Sequence, residues 1–275
     1  MKEGNDNATH KHRKDCLLLQ EVVMPEKLRS AKEIKGYELG AEDGRIGECY
    51  DFLFDDTNWV IRYIVADTRK WLPGRKVLIS PISIGEADKS THTLQVSLTK
   101  EQIKDSPPLD TDAPVSRQYE ILFNRYYAWS HYWDGDLAWG PHNYPRMLQE
   151  PNELMEVGEL PEEKTHLKSI DEVIGYRIHA TDTDIGHIED FIVEEETWII
   201  RYLVIDTSNW LPGSKWVLVP TAWVARVDWA RSAIDMKIAG DKLKKSPEYD
   251  PDRLLDREYE KTIFDFYGLP YYWQG

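Results

Sequence analysis

The chain has 275 residues, 41 % of them hydrophobic and 12 % aromatic, with a formal net charge of −15. That is enough chain for two domains of ordinary size and enough apolar side chain to fill their cores. Such acidity repels polyanions at long range, so direct nucleic-acid binding is not expected, and no apolar run approaches the roughly 20 residues of a membrane helix, so no transmembrane segment is expected.

Residues 1–30 read as a leader. Its basic cluster, Lys11, His12, Arg13 and Lys14, reads as a solvated tail, and the apolar stretch that follows is too short for a secretory signal. Cys16 lies in the leader and Cys49 in a strand, where a small buried residue is expected. Two such cysteines make neither a disulfide framework nor a metal site. A reducing, cytoplasmic location fits.

The next elements follow from alternation and turn chemistry. The pattern predicts strands over Ile34–Leu39, Ile46–Phe54, Trp59–Ala66, Lys76–Pro81 and Thr93–Leu98, with turns at Glu42-Asp43-Gly44, Asp55–Asn58 and Asp67–Gly74. Thr99 and Gln102 have capping-box spacing and open a short helix to Asp105. A longer helix carries Tyr119, Leu122, Phe123 and Tyr126 at helical spacing.

The pattern then recurs. At a shift of 139 residues, 21 of 46 positions from 36 to 81 are identical, including WVIRYIVADT (59–68) on WIIRYLVIDT (198–207) and WLPG (71–74) on WLPG (210–213). From Ser106-Pro107 onward the shift is 140, so Tyr119-Glu120 meets Tyr259-Glu260 and Tyr132-Trp133 meets Tyr272-Trp273. The division is a leader 1–30, a first repeat 31–133, a linker 134–170 and a second repeat 171–275. In the second copy Asp250-Pro251 reads as the start of the last helix and Gly268 as its stop. Short strands without strand–helix–strand alternation point to a mainly β fold: two small antiparallel barrels in tandem, each followed by short helices and an aromatic tail.

The Gly-Tyr, Ile-Gly and Asp-Phe pairs, the WxIRYxVxDT strand and the Pro-Gly turn before a VLISP or VLVP strand resemble the PRC-barrel family, and SLTKEQIKDSP with its helix and Tyr-Tyr-Trp end is similar to bacterial stand-alone members. The resemblance implies a docking role and supplies no catalytic motif. Similar barrels serve in photosynthetic reaction centres and in a ribosome-maturation factor, but no stretch of this sequence reads as the membrane helix of the first or the extra N-terminal domain of the second, so neither role is expected to carry over directly.

The residues themselves suggest structural roles. Asp67, Asp206, Pro73, Gly74, Pro212 and Gly213 are expected to shape turns, with acid–base or metal chemistry at Asp67-Thr68 and Asp206-Thr207 as the alternative. A regular hairpin would place Asp51 opposite Arg62 and Asp190 opposite Arg201 as cross-strand ion pairs; the alternative is an anion site built on the arginine. Asp182, Asp184 and Glu194–Glu196 lack calcium-loop spacing, and the eight histidines lack zinc spacing. No catalytic residue, metal or cofactor is assigned. Tyr126, Tyr127, Trp129, Tyr132, Trp133 and Trp139, with Tyr267, Tyr271, Tyr272 and Trp273, form two aromatic tails expected to cement the modules, with an external partner or packing back on their own barrels as the alternatives. The function expected is a non-catalytic binding or scaffold protein with a protein partner, acting as a pseudo-dimeric monomer or a homo-oligomer. The alternatives are a ribosome or RNA assembly factor and an enzyme working in the cleft between barrels.

Overall fold

The structure is a computed structural model that describes residues 28–73, 75–110, 114–146, 167–207, 215–253 and 255–274. The basic cluster, Cys16, Gly74, Pro212 and Gly213 lie outside them.

In the first half the elements are β1 (Leu28–Ser30), α1 (Ala31–Ile34), β2 (Glu38–Ala41), β3 (Gly44–Asp55), β4 (Val60–Asp67), β5 (Lys76–Ile79), β6 (Ile84–Asp88), β7 (Thr93–Val96), α2 (Lys100–Asp105) and α3 (Arg117–Tyr127). The second half repeats them as β8 (Leu167–Ser169), α4 (Ile170–Val173), β9 (Arg177–His179), β10 (Asp184–Glu194), β11 (Ile200–Asp206), β12 (Trp216–Pro220), β13 (Val224–Asp228), β14 (Ala233–Met236), α5 (Gly240–Lys245) and α6 (Arg257–Tyr267). The strand orders correspond: β5-β4-β3-β2-β7-β6 and β12-β11-β10-β9-β14-β13.

Each sheet is an open path of hydrogen-bonded strands rather than a closed barrel. It is nevertheless rolled. Laid flat, six strands would put β5 about 24 Å from β6. The chain crosses from Ile79 to Ile84 through one 3-10 turn, Pro81–Ser83, and five residues reach about 17 Å at most. The sheets are also not wholly antiparallel, because β2 runs parallel to β7 and β9 to β14. The central strand β4 is buried along nearly its whole length, as covering on both faces requires.

Several local expectations shift. Ser30-x-x-Glu33 caps α1, with the Ser30 hydroxyl accepting from the Glu33 N–H, so Ile34 ends a helical turn instead of opening a strand. The strand β6, IGEAD, carries a glycine and two acids and gave no alternating signal. The capping box at Thr99–Gln102 is present. Helix α6 is capped by Asp256 rather than Asp250, and it ends at Gly268 in the left-handed region. Lys76 pairs with Asp67 and Trp216 with Asp206. The extra residue of the second copy therefore lies in the loop before β12, and Ser80 corresponds to Pro220. The Ile-Gly pairs mark a close approach: a Cβ on Gly47 or Gly186 would lie 2.1 or 2.0 Å from the carbonyl oxygen of Asp67 or Asp206.

The halves complete one another. Strand β1, read from sequence as leader, pairs with β10 of the second sheet. Strand β8, read as linker, pairs with β3 of the first. Between them Val60 bridges Ile199, the Ile61 N–H donates to the Trp198 carbonyl at 2.8 Å, and the Ile200 N–H donates to the Trp59 carbonyl at 2.7 Å. Trp59 and Trp198 both sit at φ 57°, a left-handed conformation unusual for bulky residues that aims their carbonyls across the seam. Phe54 and Phe191 meet beneath at 6.0 Å between ring centres.

Candidate functional site

Two kinds of buried charge mark this molecule, and sequence pairing misassigned both. The expected pairs Asp51–Arg62 and Asp190–Arg201 do not form. Asp51 lies opposite Val65, and Asp190 opposite Val204. The reason is a turn one residue later than the regular hairpin assumes, with left-handed Trp59 inside it, followed by a β-bulge at each arginine: Leu53 pairs with Tyr63 and Phe54 with Ile61, which leaves Arg62 as the extra residue. Bulges re-aim a side chain in this way.

Asp51 instead holds the exchanged segment of the other half. One carboxylate oxygen accepts from the Ser169 hydroxyl at 2.5 Å; the other accepts from the N–H groups of Asp171 at 3.3 Å and Phe52 at 2.7 Å. Asp190 accepts from the Ser30 hydroxyl, from the Lys32 N–H at 3.2 Å and from the Phe191 N–H at 2.7 Å. Burial raises both carboxyls above their ordinary values, against the hydrogen bonds that lower them.

The aromatic tails fold back on their own halves. Helix α3 buries Glu120, Phe123 and Asn124, leaving Leu122 and Tyr126 exposed, so the apolar stripe is rotated from the sequence expectation. The Glu120 carboxylate accepts from Tyr63 at 3.2 Å, Tyr132 at 2.9 Å and Arg117 at 2.8 Å. Glu260 accepts from Tyr202 at 2.7 Å, Tyr272 at 2.9 Å and Arg257 at 2.9 Å. Burial pushes Glu120 up to about 7, with Arg117 and the two phenols acting against it. Arg117 covers the ring of Trp133 at 3.9 Å, and Arg257 that of Trp273 at 4.0 Å. Trp129 stacks on Tyr127 and Tyr271 on Trp273, while Tyr126 donates to the Gln102 carbonyl. Of the aromatics singled out by sequence, Trp139 reaches across, its indole N–H donating to the Thr197 carbonyl at 2.7 Å. The repeated Tyr-Glu pair was the available signal for the carboxylate: Glu120 stands three and four residues before the buried Phe123 and Asn124.

The arginines divide the halves. Arg201 gives both Nε, at 3.1 Å, and a terminal nitrogen, at 2.5 Å, to Glu194, beneath the ring of Tyr272 at 3.8 Å. Arg62 lies under Tyr132 at 3.8 Å and Trp139 at 5.1 Å, giving one terminal nitrogen to Asp55 at 3.1 Å and the other to the Ala138 carbonyl. Its side chain is 1 % exposed, against 20 % for Arg201. Asp55 is one methylene shorter than Glu194 and also caps its own turn through Thr57 and Asn58. The Arg62 Nε and the Asn124 Nδ2 are both buried without a hydrogen-bond partner among the described residues. Arg62 and Asn124 line a small pocket with Ser80, Ser130, His142 and Arg146. The second half has Pro220, Phe264 and Pro270 where the first has Ser80, Asn124 and Ser130.

Asp67 shapes its turn as expected, accepting from the Arg69 N–H and guanidinium, which hold its carboxyl down to about 2. Thr68 and Thr207 close the same loops through the carbonyls of Arg75 and Lys215, each at 2.7 Å. One grouping escaped sequence reasoning: donor atoms of His187, Glu189 and Asp206 lie within 4.8 Å of one another. Lys32 pairs with Glu189 there, and the first-half counterparts are Glu48, Tyr50 and Asp67. Cys49 is buried, as read. No helix among the described residues is long and apolar enough to cross a membrane.

Residues 166–242 match the family model of the PRC-barrel domain. Over 90 residues the chain is 34 % identical to an uncharacterized protein of Deinococcus radiodurans, a stretch that is 32 % of this chain and 32 % of that protein. The chain thus spans about a third of the length of the curated relative it matches.

Proposed function

We propose, from the match of residues 166–242 to the PRC-barrel family model, that the protein is a non-catalytic scaffold in which two PRC-type rolled sheets form one fixed, two-sided platform for a protein partner. The observation that carries this reading is the reciprocal exchange of β1 and β8. Each half is completed by a strand from outside its own repeat. The halves therefore hold one relative orientation, and a partner meets two related surfaces at a set spacing. A chain joined in this way is a pseudo-dimeric monomer. Its acidic surface favours a protein with basic patches over a nucleic acid, and a cytoplasmic location belongs to the same reading.

The test is affinity capture with the tagged full chain from its source cells, alongside the Ser30→Ala, Ser169→Ala double variant, with scattering to report the mass. A monomer that retains one protein in stoichiometric amount, and releases it when the seam is loosened, is the expected result. Salt-sensitive retention of RNA would move the reading to an assembly factor. Substrate turnover by the purified chain would overturn it.

A further inference from the structure

We propose that the first-half pocket beneath Trp139 is a binding site for a carboxylate. A buried hydrogen-bond donor left unmade is costly, and native proteins satisfy nearly all of them with protein, water or ligand. Here the two residues that carry such donors at the Arg62 Nε and the Asn124 Nδ2 both line one pocket. The fold is able to satisfy the arginine internally, because the second half does so with Glu194. The first half has the shorter Asp55, which leaves Nε open. It also has an amide where the second half has Phe264.

Charge and size select the ligand. Arg62 is balanced by Asp55, and Arg146 adds a second guanidinium to the lining, so the lining is cationic within a chain of net charge −15. The enclosed space holds little more than one water-sized atom. It admits one oxygen of a small anion such as a carboxylate. Both terminal nitrogens of Arg62 are taken by Asp55 and the Ala138 carbonyl, so Arg62 offers a single Nε–H, and Arg146 is the guanidinium whose planar fork suits a carboxylate. The pocket is lined by residues of the first repeat and by Trp139, His142 and Arg146 of the segment that follows it, and its ligand is read by its own two donors whether or not the platform docks a partner.

The test is nitrogen-detected NMR on the full chain, following the Arg62 Nε–H and Asn124 Nδ2–H2 signals. The probes are sodium formate, sodium acetate and an end-blocked hexapeptide with a single aspartate, each against sodium chloride at matched ionic strength. Wild type should show saturable shifts of both signals with formate. Asp55→Glu gives Arg62 the acceptor its counterpart has, and Asn124→Leu removes the second donor. Each should weaken binding at least tenfold while circular dichroism stays unchanged. A peptide bound tenfold more tightly than acetate places the carboxylate on a protein; equal affinities place it on a free small acid. The proposal is overturned by equal shifts with chloride, by no saturation up to about 100 mM formate, or by undiminished binding in both variants.

Discussion

The two halves share a strand order, a seam and a tail lock, yet they treat the same arginine differently. In the second half Glu194 closes around Arg201 and the surrounding positions are apolar. In the first half Asp55 stops short, Ser80, Asn124 and Ser130 stay polar, and Trp139 covers the guanidinium. One copy is a finished core and the other keeps open donors. Where a repeated scaffold is constrained by packing, its copies agree; where they differ in polarity at a buried position, the difference calls for a role beyond folding.

The seam gives the largest expected effect. Phe54→Ala and Phe191→Ala each remove a ring from the same cluster and should cost about 3–5 kcal/mol in urea denaturation. Losses in both variants would affirm that the seam draws on both halves; a loss from one side alone would break that reading.

The tail lock comes next. Glu120 has a folded pKa of about 7 against an ordinary 4.5. Between those values the native state binds more protons than the unfolded state, so stability falls as pH rises through this window, by on the order of 3 kcal/mol. Glu120→Gln should flatten that slope in melts taken from pH 4 to 8. A slope unchanged by the substitution would assign the dependence to other groups, among them Asp51 and Asp190, which shift the same way.

Smaller losses should come from Ser30→Ala and Ser169→Ala, at about 1–3 kcal/mol each. Both remove a helix cap and a donor to a buried carboxylate. Equal values are expected, and denaturation of the two single variants sharpens the comparison. The smallest effect separates the tails from the seam. Trp139→Phe loses one hydrogen bond between the halves, at about 1 kcal/mol, whereas Trp133→Ala should leave the scattering profile unchanged because Trp133 packs on Arg117 of its own half.

Much of the architecture was legible in the residues. Local chemistry carried β3, β4 and α2, since alternation, turn residues and the Thr99–Gln102 box act over a few positions. Asp51 and Arg62 were legible as special residues but not as to their partners. Pairing across a hairpin depends on bulges, and neither bulge has a mark in the sequence that a regular register would reveal. The aromatic tails were misread for a related reason: apolar content says that a ring will be buried, and says nothing of which half buries it.

The sequence by itself determined the repeat, the mainly β class, the turn role of Asp67 and the resemblance that residues 166–242 bear out, because periodicity and short-range hydrogen bonding are written in neighbouring residues. Only the tertiary structure decided that β1 and β8 exchange, that Asp51 and Asp190 hold the exchanged segments, and that the Arg62 Nε is left without a partner where the Arg201 Nε is held by Glu194. Those outcomes join residues more than a hundred positions apart, or turn on a single methylene, and they are fixed by which buried polar groups find partners once the two sheets are pressed together.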